Sequence, residues 1–187
     1  MAASARDVAA VLRRRLPGLG TVKLHKLLYY CQGHHLAAFD RPLFRETISA
    51  WDMGPVVGTL WKEEKQDHTP EPEPLDEAAL NTIGYVISRY GGLSGKDLEN
   101  LTHSEAPWQE ADRERSPGGR ATIRTAWIRD YFRADGAPAA GEDAVPLDRE
   151  AVRAWLARAP RRAAATPDSR EEIMARRAEN AAGPGGE

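Results

Sequence analysis

The stretch Thr21–Pro55, TVKLHKLLYYCQGHHLAAFDRPLFRETISAWDMGP, reads as one long apolar helix, a turn, a short extended segment and a Trp-bearing turn. At roughly 100° per residue, Leu24, Leu27, Leu28, Cys31 and Ala38 fall on one arc, and Val22, Tyr29 and Leu36 on a second. A helix apolar over so much of its circumference belongs at the centre of a domain, touching several neighbours. What is left is a narrow polar stripe of Lys23, Lys26, Tyr30 and His34, with Gly33 at its edge. Three polar side chains, His25, Gln32 and His35, project into the apolar arcs, where an unpaired group costs about 1–3 kcal/mol. They are expected to be hydrogen-bonded structural residues, a reading favoured over a ligand or catalytic role.

The rest of the chain is arranged outward from that helix. Ser4 with Asp7 forms a capping-box pattern for a first helix running to about Leu16, closed by Pro17-Gly18. Thr21 is the expected cap of the long helix, and Pro42 the expected reason for its end. Alternation over Phe44–Trp51 predicts a short strand in a two- or three-stranded ribbon, with no clear partner visible. Pro55 fits the first turn of a helix from Val56 to about Gln66. After the acidic, proline-punctuated HTPEPEPLD, Asp76 caps a helix carrying Leu80, Ile83, Val86, Ile87 and Tyr90, which Gly91-Gly92 should close in the left-handed conformation. Ser94 and Asp97 open a helix from Gly95 to His103, Ser104 and Pro107 begin another bearing Trp108, and a closing helix spans Thr122 to about Ala134.

Beyond Asp135 the composition changes. GAPAAGEDAVP and PRRAAATP read as linkers, Asp148–Arg158 as an amphipathic helix with Val152, Trp155 and Leu156 on one side, and Ser169–Ala182 as a helix with almost no apolar face. The expected architecture is mainly α. Residues 1–135 form a compact multi-helix domain with a small β-ribbon after the central helix, and residues 136–187 a helical C-terminal extension. The first helix of that extension is expected to dock on the domain.

At 187 residues, 41% hydrophobic and 29% charged, the chain is ordinary for a globular protein. No run of eighteen apolar residues and no signal-peptide core is present, so a cytosolic protein without membrane partners is expected. The single Cys31 reads as a small core hydrophobe. Charge is uneven: residues 1–42 hold seven Lys/Arg against two Asp/Glu, a local +5, and residues 43–80 hold three against nine, a local −6. A continuous basic patch of Arg13, Arg14, Arg15, Lys23 and Lys26 would suit nucleic acid, but the chain as a whole, at −2, is not basic, so nucleic acid is not the expected partner.

No phosphate-cradling glycine loop, dinucleotide fingerprint, nucleophile elbow or CxxC pair occurs, and no cofactor is expected. The enzymatic alternative is a metal-dependent hydrolase in which His103 and Glu105 of THSEAPW meet His34 or His35, although HxE is not a zinc spacing. His103 is otherwise a buried structural histidine. The aromatic residues are the stronger lead, because a large ring at a turn either seals a core or anchors an interface. Trp51, Asp52, Met53, Gly54 and Pro55 form the turn expected to be partly exposed.

Three ordered motifs carry a family resemblance. They are VKLHKLLYYCQGHHLA (22–37) followed by Pro42-Leu43-Phe44, then Ala50-Trp51-Asp52-Met53-Gly54-Pro55-Val56-Val57, then Leu93-Ser94 with Leu98 and LTHSEAPW (101–108). Together they resemble the Panacea domain of SocA-like antitoxins, also described as GepA-like phage-associated proteins, over about residues 5–134. His25 stands where Gln is usual and His34 where Trp is usual. The resemblance implies a non-catalytic antitoxin that neutralises a cognate toxin by direct protein contact and, in part of the family, delivers it to an ATP-dependent protease. The resemblance makes the stripe Lys23, Lys26, Tyr30 and His34 and the turn Trp51–Pro55 the expected partner-binding face; Trp108 joins it as an aromatic residue at a segment end, and the Val152, Trp155 and Leu156 stripe of the extension, outside the shared domain, is the element expected to choose or block the particular toxin. An operon autoregulator that binds DNA is the alternative binding reading.

Overall fold

The computed structural model describes residues 2–65, 71–116, 118–134 and 147–158. Among them are eight helices and one three-stranded antiparallel sheet of order β2-β1-β3. The elements are α1 (Ala5–Arg15), α2 (Thr21–Phe39), β1 (Ile48–Trp51), β2 (Gly54–Val57), α3 (Gly58–Glu63), α4 (Glu77–Tyr90), α5 (Gly95–His103), α6 (Ala106–Glu114), β3 (Ala121–Thr122), α7 (Thr125–Ala134) and α8 (Arg149–Arg158). The chain is mainly α with a small ribbon, the architecture its periodicity predicts.

Helix α2 is the axis of the fold, packed against α1, α4, α5, α7 and β2. Every residue from Leu24 to Leu36 is buried, so the expected outer polar stripe does not exist as a surface: Lys26, Tyr30 and His34 are as enclosed as the leucines. Ala38, assigned to the apolar arc, is the exposed one. Helical phase ranks positions by polarity, whereas neighbours on all sides leave no side for solvent. The helix is capped by Gly20 rather than by the side chain of Thr21. It ends on Asp40, left-handed at φ 55°, two positions before Pro42, and Arg133 of α7 lies 2.9 Å from the Asp40 carboxylate at that terminus.

Local capping logic holds elsewhere. Ser4 and Asp7 make the reciprocal capping box of α1, Ser94 and Asp97 that of α5, and Asp76 accepts from the Ala79 amide to start α4. The close of α4 differs from expectation. Gly91 sits at φ −61° in the right-handed region, and Leu93 N donates to the Tyr90 carbonyl (3.1 Å), a tight turn that needs no left-handed glycine.

The ribbon differs most. Ser49–Val56 and Ala50–Pro55 face each other across a two-residue turn at Asp52-Met53, so Pro55 lies within a strand and α3 begins only at Gly58. Successive pairs of an antiparallel ladder alternate between hydrogen-bonded and non-bonded, which places the Pro55 backbone facing away from β1, where a missing N–H breaks no rung. The third strand, Ala121–Thr122, occupies what reads in sequence as the start of the closing helix. Helix α7 starts at Thr125 and buries Ile128 and Phe132 on α2. A Cβ on Gly33 would stand 2.3 Å from the Phe132 ring, so α7 approaches α2 over a glycine. The linkers at 136–146 and 160–167 and the helix expected at 169–182 lie outside the described residues.

Candidate partner-binding face at the hairpin

The hairpin is held from behind by α2. Lys26 Nζ donates to the outward Pro55 carbonyl (3.3 Å), and the outward Val57 N–H donates to His25 Nδ1 (3.3 Å). Two polar side chains inside an apolar helix thus complete the open edge of β2, which would otherwise bury unpaired backbone groups. The bond into His25 Nδ1 requires its proton to be on Nε2. Burial pushes the His25 imidazole down to about 4, with Lys26 and Arg13 adding to the effect, and burial pushes the Lys26 amine down to about 7 against the opposing pull of Glu99. Gly54 is left-handed at φ 96°, and a Cβ there would lie 2.7 Å from Lys26 Cε and 3.0 Å from Thr102 Oγ1, so this corner admits no side chain.

The tip is held from the side by α6. Trp108, buried, donates through Nε1 to the Trp51 carbonyl (3.3 Å) and stacks on His103 with ring centroids 4.0 Å apart. Burial, with Lys26 as the next cause, pushes the His103 imidazole down to about 3. The Arg115 guanidinium bonds the Asp52 carboxylate, Asp112 Oδ1 (2.6 Å) and the Gly119 carbonyl (3.2 Å). Burial lowers its basicity, but the two carboxylates more than reverse this. What the tip offers outward is half-buried Trp51, Asp52 and Met53, with Trp51 edge-on to Trp61 at 5.3 Å. Beside it lies an open depression of about 280 Å³ lined by Trp51, Asp52, Gly118, Gly119 and Arg120.

Behind the hairpin lies a second buried network. Tyr30 donates to Glu105 Oε1 (2.8 Å) and stacks on Tyr90 at 3.9 Å, while the Tyr90 hydroxyl meets His34 Nε2 (2.9 Å). Burial and then the Glu105 carboxylate hold the Tyr29 and Tyr30 phenols well above the ordinary range, and burial, aided by Arg89, brings His34 down to about 3. Gln32 clamps the chain after α2, accepting from Leu43 N (2.9 Å) and Phe44 N (3.1 Å) and donating to the Phe44 carbonyl (3.1 Å). Thr82 donates to the Ala78 carbonyl, so its oxygen accepts from His35 Nδ1 at 2.9 Å.

The candidate residues therefore separate. Trp51, Asp52 and Met53 reach solvent, whereas Lys26, Tyr30, His34, Trp108 and the Gly54-Pro55 backbone support them from inside. Lys23 is half-buried with Nζ on the Gly91 carbonyl (2.6 Å). On α8, Val152 is buried, Leu156 half-buried and Trp155 exposed. The residues of the hydrolase alternative do not converge: His34 faces Tyr90, His35 faces Thr82, and His103 faces Trp108. Among the described residues no group of three or more His, Cys, Asp or Glu is placed to hold a metal. The basic set Arg13, Arg14, Arg15, Lys23 and Lys26 is not one exposed patch either, since Lys26 is buried, Lys23 is half-buried on the Gly91 carbonyl and Arg13 pairs with Glu64, while Arg14 and Arg15 are exposed. Sequence reasoning missed Arg115, which sits in a loop without periodicity, and the second use of Asp97, a cap that also receives α8.

The elements that hold the hairpin run from α2 to α6, and this segment is the part of the chain with a family match. Residues 24–109 match the antitoxin SocA-like, Panacea domain family. The Panacea match takes in Lys26, His25, the whole hairpin, Glu105 and Trp108, and stops before Arg115, α7 and α8. No curated protein and no solved structure matches the chain significantly. Among the described residues no helix is long and apolar enough to cross a membrane.

Proposed function

We propose that this protein is the antitoxin of a toxin–antitoxin pair and neutralises its cognate toxin by direct contact through the hairpin face. The observation that carries the proposal is the antitoxin-family match across the segment that builds this face. The geometry supports it, because Trp51, Asp52 and Met53 are half-exposed on a tip fixed by Lys26, Trp108 and Arg115. Preorganised turns with an aromatic anchor lose little entropy on binding. Neutralisation by delivery to an ATP-dependent protease uses the same contact and adds turnover of the toxin. Residues 136–187 are the element that selects or blocks this particular toxin.

Co-expression with the neighbouring gene tests the reading, scored by rescue of growth and by co-purification. Wild type rescues and co-purifies, Trp51→Ala and Asp52→Lys lose both, and a protein that neither rescues nor co-purifies refutes the proposal. Toxin that stays as short-lived in protease-deficient cells as in wild-type cells excludes the delivery mode. Neutralisation unaffected by removal of residues 136–187 excludes the role given to the extension.

A further inference from the structure

Toward the C-terminal end of α2, away from the hairpin, a cavity of about 250 Å³ opens between the segment before α1, the turn after α2 and the approach to α4. Asp7, His35, Arg41, Glu73 and Asp76 are in its wall, and Asp7 Oδ1 accepts from the Glu73 amide (2.9 Å), tying the approach of α4 to α1. His35, 2% exposed, decides the chemistry. The Ala78 carbonyl can only accept, so the Thr82 hydroxyl proton points there (2.9 Å) and the Thr82 oxygen accepts from His35 Nδ1 (2.9 Å). Burial keeps the ring neutral, pushed down to about 4, so its one proton is on Nδ1 and Nε2 is a bare lone pair. Nε2 has no hydrogen-bond partner among the described residues, and protein does not seal it off, so it opens to the cavity that His35 lines. A buried acceptor in that position calls for an N–H or O–H donor, not an anion.

Charge selects among donors. The lining side chains include the carboxylates of Asp7, Glu73 and Asp76 against the guanidinium of Arg41. The flanking charges keep that sign, since Arg6 is met by Glu63 (3.7 Å) and Arg45 by Glu46 (3.8 Å), while Glu71 and Glu77 add further acids. Asp7 and Asp76 each answer the positive N-terminus of the helix they cap, and Arg41 leans on Asp76 (3.4 Å). What stays unanswered is the Glu73 carboxylate, which has no partner among the described residues, and the bare nitrogen of His35. We infer that this cavity binds a small organic cation, an alkylammonium or guanidinium group, whose N–H donates to His35 Nε2 while Glu73 balances its charge. The volume suits such a group, being below the roughly 300–1,000 Å³ of pockets for drug-sized ligands. A free amine and the side chain of a partner's arginine or lysine supply the same chemistry. The site is separate from the proposed toxin-binding face and does not depend on that reading.

The test is a titration of the full-length chain with agmatine, a free guanidinium compound, and with N-acetylarginine amide, which presents the group as a protein does. Binding is read by NMR of the ring nitrogens in histidine-labelled protein, the His35 signal being assigned by its loss in His35→Gln. The expected result is a saturable upfield movement of the bare His35 nitrogen with at least one of the two cations and none with acetate. Glu73→Gln, an exposed side chain whose loss leaves the fold intact, should bind about threefold more weakly. A response to agmatine alone assigns the site to free amines, and a response to the blocked arginine alone assigns it to a partner's side chain. A His35 nitrogen that neither cation moves leaves water as its donor and overturns the site. An equal response to acetate, or Glu73→Gln binding as tightly as wild type, overturns the assignment to a cation.

Discussion

Lys26 shows how one side chain serves both fold and face. Its stem crosses the core of α2, and its nitrogen ends on the Pro55 carbonyl behind the hairpin. Its folded pKa of about 7 lies below the ordinary lysine value, so between the two the unfolded chain binds a proton that the folded chain does not, and stability rises with pH. Denaturant titrations from pH 7 to 9.5 are expected to show that rise, at most ~1.4 kcal/mol per pH unit, and Lys26→Met is expected to abolish it. A wild-type profile as flat as the variant's would show that the amine is not held neutral. Gly33 serves packing alone. Gly33→Ala should gain helix propensity yet cost about 1–3 kcal/mol overall, because its methyl group would overlap the Phe132 ring. Adding Phe132→Leu should recover part of that loss, and independent, additive effects in the double mutant would refute the contact.

At the scale of elements, α8 is secured by few groups and packs on α5 alone among the principal contacts of the described residues. One carboxylate, the buried Val152 and the Leu147 N–H to the Arg89 carbonyl (2.9 Å) hold it and its approach. Burial pushes the Asp97 carboxyl up, but hydrogen bonds from Ser94, Arg153 and Arg149 more than reverse this and hold it well below the usual range. Asp97→Asn is expected to raise amide exchange throughout α8 to nearly unprotected rates while α2 and α4 stay protected, and 1 M salt should act in the same direction. Unchanged α8 protection would mean that Val152 and Leu147 suffice. The capping boxes of α1 and α5 are legible in sequence because their partners are three residues apart. The Asp97 clamp spans 52 and 56 residues, and no local pattern announces it.

At the scale of the whole molecule, four of the five histidines, His25, His34, His35 and His103, lie in or against the core, with folded values pushed by burial to about 4, 3, 4 and 3. The unfolded chain takes up these protons near pH 6.5 and the folded chain does not, so the histidines' contribution to stability is fully present above that value and is lost as pH drops. Between about pH 6.5 and 4.5 the loss should steepen to several protons' worth, roughly 1.4 kcal/mol per pH unit for each. His34→Phe and His35→Gln should each flatten the slope by about one proton; a slope unchanged in both variants would show that other groups govern acid unfolding.

The sequence by itself determined most of the helices, the caps at Ser4, Asp76 and Ser94, the central place of α2 and the order of motifs that marks a Panacea segment, because all of these rest on spacings of three or four residues or on linear order. Tertiary structure alone decided which face of α2 meets solvent, and the answer is none between Leu24 and Leu36. It also decided that Pro55 joins a strand and that Thr122 does so rather than starting α7. Pro55 is tolerated there because its missing N–H faces away from β1, a register that only the pairing of β2 with β1 sets, and Lys26 from α2 satisfies its outward carbonyl. A two-residue strand such as Ala121–Thr122 exists only because β1 is already there to pair with it.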